Sequence, residues 1–392
     1  MKVLHIGKYF SPFKGGMENY LRDTMATLCR RGVKCAALVH HHDLRFKNSD
    51  EKFKTDDSHF RVVRAGVILK LLYTPISPMF PLLLKKLLKD FQPDVLHIHL
   101  PNPSAICALA LTQAKNIPWV LHWHADIVTS SPLMKFVYFL YRPFERNLLQ
   151  RANIIVATSE AYRDSSEPLS DFLHKCQVVP LGIDSRRLKS KTDFCSLAES
   201  TDERRNLNVL AVGRLTYYKG FEYLIRATAL VAAAKVSIVG TGDREKDLKT
   251  LVARLGLENR VVFHGFLSDQ ELIKHFSQCD CVCLPSIERT EAFGIVLLEA
   301  MYFSKATLVS DVPGSGMGWI VEDGVTGIKV EPANPESLAE ALDFMAKNRD
   351  IVDSMGQCGK QAFERHFEIG HSINSLIEIY DRLSGRAGNR VA

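Results

Sequence analysis

The stretch Glu291-Ala-Phe-Gly-Ile-Val-Leu-Leu-Glu299 follows the apolar run Cys279-Asp-Cys-Val-Cys-Leu284, and the two read as a buried strand, a glycine-bearing turn and a helix. The apolar content predicts a helix over residues 293–301, with Glu291 just before it and Glu299 about two turns inside. At that spacing a carboxylate within the helix can face the same side as the loop that precedes it. The free N–H groups of Gly294, Ile295 and Val296 point out of the helix start, next to Phe293. That end carries roughly half a positive charge and seats phosphate well. One segment thus offers an anion site flanked by two acids, which suits a sugar held through a diphosphate. Taken alone, it is also what a surface glutamate before an amphipathic helix looks like.

Two upstream elements of the same kind weigh against the plainer reading. Val209-Leu-Ala-Val-Gly-Arg-Leu-Thr-Tyr-Tyr-Lys-Gly220 reads as a buried strand, a turn and a helix starting near Gly220. It delivers Arg214 and Lys219 from the carboxyl end of a strand, where open α/β sheets bind ligands. A planar guanidinium and a compact ammonium together make a clamp for a pyrophosphate leaving group. Val236-Ser-Ile-Val-Gly-Thr-Gly-Asp243 ends another strand in a turn whose Gly240 and Gly242 allow close backbone approach to a ligand. It lacks the full Gly-x-Gly-x-x-Gly spacing, so it is no dinucleotide fingerprint.

Taken jointly, the chain resembles the retaining GT-B glycosyltransferases of the family related to glycogen synthase and to bacterial lipopolysaccharide and phosphatidylinositol mannosyltransferases. The E-x7-E pair, the Gly-Arg-Leu-x-x-x-Lys-Gly loop and Val321-Glu-Asp-Gly-Val-Thr-Gly327 match that pattern in order and spacing. Lys8-Tyr-Phe-Ser-Pro-Phe-Lys-Gly-Gly-Met-Glu18 is similar to the family's glycine-rich first loop. Trp119-Val-Leu-His-Trp-His-Ala-Asp126 is similar to its catalytic-histidine strand end, and Val179-Pro-Leu-Gly-Ile-Asp184 to the close of its first domain. The resemblance implies an α/β GT-B fold, two Rossmann-like parallel-sheet domains facing a cleft.

Composition is compatible with this. A chain of 392 residues with 46% hydrophobic content can supply two cores. No run of about 18 uncharged apolar residues reads as a spanning helix. The opening Met-Lys-Val-Leu-His-Ile is too short for a secretion signal and reads as a first strand. Nine scattered cysteines point to reduced thiols in a cytoplasmic setting. Of these, Cys279, Cys281 and Cys283 alternate and are expected to share one packed face, while His40, His41 and His42 cannot all face one metal from a strand. Apolar β-rich runs at 3–6, 35–39, 95–98, 119–123, 154–157, 178–181, 209–212, 236–239, 261–263, 281–284 and 307–309 alternate with segments of helical period such as 17–30 and 336–346. That alternation predicts parallel sheets covered by helices. The expected organisation is an acceptor-binding domain over 1–184, a polar linker over 185–206 and a donor-binding domain over 207–370. By resemblance, a final segment over 371–392 crosses back to the first domain.

The resemblance also distributes roles. Arg214 and Lys219 hold the donor diphosphate, Glu299 the ribose hydroxyls, and Glu291 the hydroxyls of the transferred sugar. Phe266 and Leu267, in the turn after His264, stand beside the nucleobase. Gly15 and Gly16 admit the sugar phosphate, with Glu18 and His124 near the reacting centre; His122 takes the position usually held by threonine. The implied reaction is metal-independent hexosyl transfer with retained anomeric configuration from a GDP- or UDP-sugar to a lipid-linked or oligosaccharide acceptor. Lipopolysaccharide O-antigen or exopolysaccharide assembly is the expected setting, and mannose from GDP-mannose the preferred donor. A glucosyl or galactosyl donor and a GT-B sugar-nucleotide epimerase remain as alternatives. No cofactor or metal is expected, since no Asp-x-Asp motif appears and two cations plus a helix start can neutralise the leaving group. Lys85, Lys86 and Lys89 in one apolar segment, and Arg142, Arg146 and Arg151 among the aromatics of 135–151, form a basic amphipathic surface suited to anionic lipid heads. The formal charge of +6 leans the same way, while its dispersal argues against nucleic acid. The expected location is the inner face of the cytoplasmic membrane.

Overall fold

The computed structural model describes residues 1–13, 15–55, 57–71, 74–129, 131–192 and 206–385. The chain divides into two units, Met1–Leu181 with the segment from Ile369 onward, and Gly182–Glu368.

In the first unit the strands are β1 (Lys2–Ile6), β2 (Lys34–His40), β3 (Ser49–Lys54), β4 (His59–Ala65), β5 (Leu69–Leu71), β6 (Thr74–Ile76), β7 (Val95–Leu100), β8 (Trp119–Trp123), β9 (Ile154–Ala157) and β10 (Cys176–Val178). Eight of them form one sheet in the order β10-β9-β8-β7-β1-β2-β4-β3, and β5 pairs only with β6. β1, β2, β7, β8 and β9 read as near-continuous apolar runs, as burial on both faces requires, whereas β4 carries Arg61 and Arg64 and β10 is half-buried. Seven of the eight strands are parallel. The exception is β3, Ser-Asp-Glu-Lys-Phe-Lys, which pairs antiparallel at the edge. Its Asp50 and Glu51 meet Arg61 and Arg64 of β4 at 2.6 and 2.9 Å, and a charged edge discourages further pairing. The expectation of an all-parallel sheet is corrected here. A mostly exposed polar strand carries no hydrophobic period to read.

The run at 178–181 also differs, since β10 stops at Val178. Pro180 has no N–H to extend the ladder, and Val179 makes the last bond, to Ala157 O at 2.9 Å.

The helix Ile369–Leu383 completes the first unit. Ile369, Ile373, Leu376 and Tyr380 fall at i, i+4, i+7 and i+11 and pack on Val3, Val95, Val120 and Val156 of the sheet. Ser372 Oγ donates to Pro180 O at 2.6 Å, and the Tyr380 hydroxyl meets His97.

The second unit contains β11 (Leu207–Val212), β12 (Ala234–Val239), β13 (Val261–Gly265), β14 (Cys281–Leu284), β15 (Ala306–Ser310) and β16 (Gly327–Val330). All are parallel, in the order β13-β12-β11-β14-β15-β16. Numbered within the unit this is 3-2-1-4-5-6, the doubly wound order whose winding reverses between the first and fourth strands. Cys281 and Cys283 join the core on one side of the sheet, whereas Cys279 lies before β14 and packs with Val282 on the other. The three cysteines therefore do not share a face. The described cysteines are all free thiols.

The predicted linker begins instead as a helix, Ser185–Thr192, within the second unit; residues 193–205 of that stretch lie outside the described residues.

Leu376 is fully buried against the first sheet. Replacement by alanine is expected to destabilise the first unit by about 2–5 kcal/mol. Urea unfolding followed by the Trp119 and Trp123 emission will report the shift, while a Trp319-only variant, reporting the second unit, will not move.

Candidate active site

The winding reversal of the second sheet sets the loop after β11 beside the loop after β14. In the first loop a 3-10 turn, Tyr217–Lys219, ends at Gly220 with φ 65. A Cβ at 220 would collide with Pro285 O, so only glycine allows the two loops this approach. Ile287 N–H then donates to Tyr218 O at 2.8 Å. The Lys219 stem runs past Gly213, where an added Cβ would lie 3.2 Å from Nζ. Its ammonium ends on Glu291 Oε2, with both side chains largely buried. Ser315 Oγ donates to Glu291 O at 2.5 Å and Ser286 Oγ to Glu291 Oε2 at 3.5 Å, fixing the acid from both ends. Arg214, on the same loop as Lys219, is exposed and has no ionic partner among the described residues.

The helix after β14 is shorter than the sequence suggests. It spans Ile295–Tyr302, and Gly294 precedes it in the left-handed region at φ 86, ψ 58. Phe293 and Gly294 are therefore outside it, and Glu299 sits a little over one turn in. Leu297 N–H turns back to Gly294 O at 2.9 Å, which leaves Ile295 and Val296 as the leading donors. Glu299 meets Arg187 of the helix Ser185–Thr192 at 3.5 Å. Arg187 was not legible as a site residue, because it lies in a polar stretch with no strand or turn signal. Glu291 and Glu299 thus have different basic partners.

Gly240 and Gly242 meet a packing demand besides the ligand approach their spacing implies. A Cβ at 240 would strike Gly213 O and one at 242 would strike Leu215 O. These glycines let the loop after β12 lie against the loop after β11, and Leu215 N–H donates to Thr241 O at 3.0 Å. In the neighbouring turn Gly265 has φ 64, Phe266 is 64% exposed, and Leu267 is partly buried.

The first unit has its own winding reversal, between β1 and β7. The helix Gly16–Arg30 starts there with Glu18 buried in its first turn. Gly15 has an extended backbone that any residue adopts, and a Cβ there would meet only the Glu18 carboxylate, the movable end of a side chain. Gly16 is the first helical residue. Glu18 shares a shallow depression with Lys8, Tyr9 and His99, and burial followed by the Glu18 charge raises the Tyr9 phenol.

His124 continues β8 by donating its N–H to Leu100 O at 3.0 Å. Its ring stacks on that of His122 with centroids 4.2 Å apart, and Tyr20 approaches both edge-on. Three more histidines, His5, His97 and His99, line the same face. Burial lowers all five, His5 and His124 to about 3, so the rings are neutral at physiological pH. The sequence did carry a sign of this. His97-Ile-His99 and His122-Trp-His124 repeat one alternation on two strands.

With these geometries in hand, comparison with known proteins assigns the family. Residues 198–365 match the family described as Glycosyl transferases group 1, and residues 14–187 match Glycosyltransferase Family 4. The chain belongs to the GT-B glycosyltransferases. It is similar to the O-antigen chain mannosyltransferase C of Escherichia coli, 29% identical over 98% of this chain and 99% of that protein. It is likewise similar to the D-rhamnosyltransferase WbpZ of Pseudomonas aeruginosa, 29% identical over 94% and 92%. In fold it matches a sucrose-phosphate synthase from Thermosynechococcus elongatus, with a TM-score of 0.79 at 19% identity over 98% and 99% of the two chains. Anabaena HepE, solved in complex with UDP, matches with a TM-score of 0.75 at 22% identity over 97% and 100%. The protein is therefore a transferase with two Rossmann-like units.

Lys219→Ala is expected to lower turnover about a hundredfold or more, the usual cost of removing one charge stabiliser. Arg214→Ala, which breaks no ion pair among the described residues, is expected to do so while leaving the melting temperature unchanged. Full activity in both variants would mean that the leaving group is held elsewhere.

Proposed function

We propose that the protein is a retaining hexosyltransferase that moves mannose from GDP-mannose to a lipid-linked or oligosaccharide acceptor in O-antigen or exopolysaccharide assembly. The observation that carries the reading is the Lys219–Glu291 contact at the winding reversal of the second sheet, with the exposed Arg214 beside it. Together with the amides of Ile295 and Val296 these cations neutralise a departing diphosphate. Glu291, held by two serine hydroxyls, fixes the ammonium and faces the hydroxyls of the transferred sugar. Glu299 accepts the ribose hydroxyls in exchange for its long contact to Arg187, an ionised carboxylate being a double acceptor. Phe266 and Leu267 flank the base, and Gly240 and Gly242 shape the floor. His124 and Glu18 serve the acceptor side. The likeness to the Escherichia coli O-antigen chain mannosyltransferase supports the choice of sugar and setting.

Charge neutralisation by protein groups alone makes a metal unnecessary, so turnover is expected to survive EDTA. A thermal-shift screen of GDP- and UDP-sugars tests the donor. A ligand at a hundred times its dissociation constant adds about 2.7 kcal/mol of stability. GDP-mannose is expected to give the largest shift and, with acceptor, an α-linked product. A larger shift from UDP-glucose or UDP-galactose would replace the donor, and conversion of the donor without any acceptor would indicate an epimerase.

The same reading places the protein on the inner face of the cytoplasmic membrane, and no helix among the described residues is long and apolar enough to cross one. The helix Phe80–Phe91 buries Leu84, Leu87 and Leu88, so Lys85, Lys86 and Lys89 form an ordinary solvated face. The helix Pro132–Arg151 is different. Leu133, Phe136, Val137, Leu140 and Phe144 recur at i, i+3, i+4, i+7 and i+11 and are all exposed, Phe136 at 61%. Arg142 and Arg146 are paired with Glu167 and Asp171, so apolar insertion outweighs attraction to anionic lipid. Phe136→Ser with Leu140→Ser is expected to abolish binding to neutral and anionic vesicles alike, and Lys85, Lys86 and Lys89→Gln to leave it unchanged. A native protein that ignores vesicles, or that dimerises through this stripe, would remove the membrane role.

A further inference from the structure

Strand register brings five histidines together on β1, β7 and the end of β8. His5 stands opposite His97, and His99 opposite His122. Their hydrogen bonds sort into two separate chains. One joins His122 Nδ1 to His97 Nε2 at 3.3 Å and His97 Nδ1 to the Tyr380 hydroxyl. The other joins His5 Nδ1 to His99 Nε2 at 3.2 Å and His99 Nδ1 to His124 Nε2 at 2.9 Å. This second chain ends on two buried ring nitrogens without a partner among the described residues, His5 Nε2 and His124 Nδ1.

A neutral imidazole has one donor and one acceptor nitrogen, so three in series carry their protons in only two arrangements. Either His124 holds hydrogen on Nδ1 and His5 Nε2 is a bare lone pair, or the reverse. A buried N–H without an acceptor is the rarer and costlier fault. Both nitrogens are buried, but His5 lies level with Val120 inside the sheet, whereas His124 directly follows the carboxyl end of β8, the end at which such sheets bind ligands. The lone pair therefore belongs at His5 and the N–H at His124.

We propose that His99 and His5 are positioning residues that hold His124 as its Nδ1–H tautomer, so that this histidine offers substrate a hydrogen-bond donor and not a base. The inference rests on the acceptor-side role given to His124 above. Burial keeps the rings neutral, so the donor is an imidazole that polarises a hydroxyl or ring-substituent oxygen of the sugar without carrying charge. The trios His5, His97, His99 and His99, His122, His124 are also close enough to share a transition metal. Against that, His99 belongs to both trios and already uses both ring nitrogens in the chain. No carboxylate belongs to either trio to offset the ion's charge.

The test is nitrogen NMR of the full chain labelled at histidine, with His124 assigned by its loss in His124→Gln. The expected spectrum shows His124 with a protonated Nδ1 and a bare Nε2. His99→Asn, whose side-chain amide can donate where Nδ1 does, is expected to keep that tautomer and to keep kcat within about threefold. His99→Leu is expected to give mixed tautomers and to lower kcat about tenfold or more at unchanged donor KM, since a misplaced tautomer is costly even in intact geometry. A bare Nδ1 in the native protein would overturn the proposal, as would equal losses in the Asn and Leu variants. So would one equivalent of zinc whose removal changes the histidine signals. Full activity in His124→Gln would instead refute the role of His124 and leave the tautomer result standing.

Discussion

The ion pair between Lys219 and Glu291 ties the loop after β11 to the loop after β14, and those strands are neighbours only because the winding of the sheet reverses between them. Parallel pairing is the deeper constraint. It forces every connection to cross a face of the sheet as a helix, and it brings every strand out at the same edge. Residues separated by seventy positions then meet without any long loop. Gly220 makes the meeting possible, because a methyl group there would enter the backbone at Pro285, and Gly240 and Gly242 in the same way let the loop after β12 lie against the loop after β11. The glycines in these loops answer first to one another and only then to a ligand.

That distinction explains what the sequence could and could not disclose. Strands buried on both faces announce themselves as unbroken apolar runs, so Trp119–Trp123, Ile154–Ala157 and Cys281–Leu284 are legible to the residue. The edge strand Ser49–Lys54 is not, because its stability comes from Arg61 and Arg64 on the next strand and not from its own pattern. Lys219, Glu291 and Glu299 are legible because each sits at a fixed offset from a turn glycine. Arg187 has no such anchor; its meaning lies wholly in a partner more than a hundred positions away. The histidines fall between these cases. Alternation shows that His97 and His99 share a face, but only strand register shows that His5 joins them.

The same face shows how a buried polar array is tolerated. The rings stack at near-parallel angles, link edge to edge through nitrogen, and stay uncharged because the interior penalises the cation. Both chains hold their rings in one orientation. What differs is where each ends: one runs from His122 Nε2, unpartnered among the described residues, to a phenol brought in by a distant helix, while the other has such an unpartnered nitrogen at both ends, one of them just past the end of β8.

That phenol has a consequence for biosynthesis. Tyr380 and its helix belong to the first unit, yet the ribosome makes them only after all of residues 182–368. At about 5–20 residues per second the delay is roughly 10–40 s. Throughout it the nascent first sheet lacks the cover that Ile373 and Leu376 later give to Val3, Val95 and Val120. The second unit is continuous in the chain, so the portion translated later is the first to be finished. The early portion waits with an apolar, histidine-lined face open, and it is this half of the newborn protein that a chaperone has reason to hold.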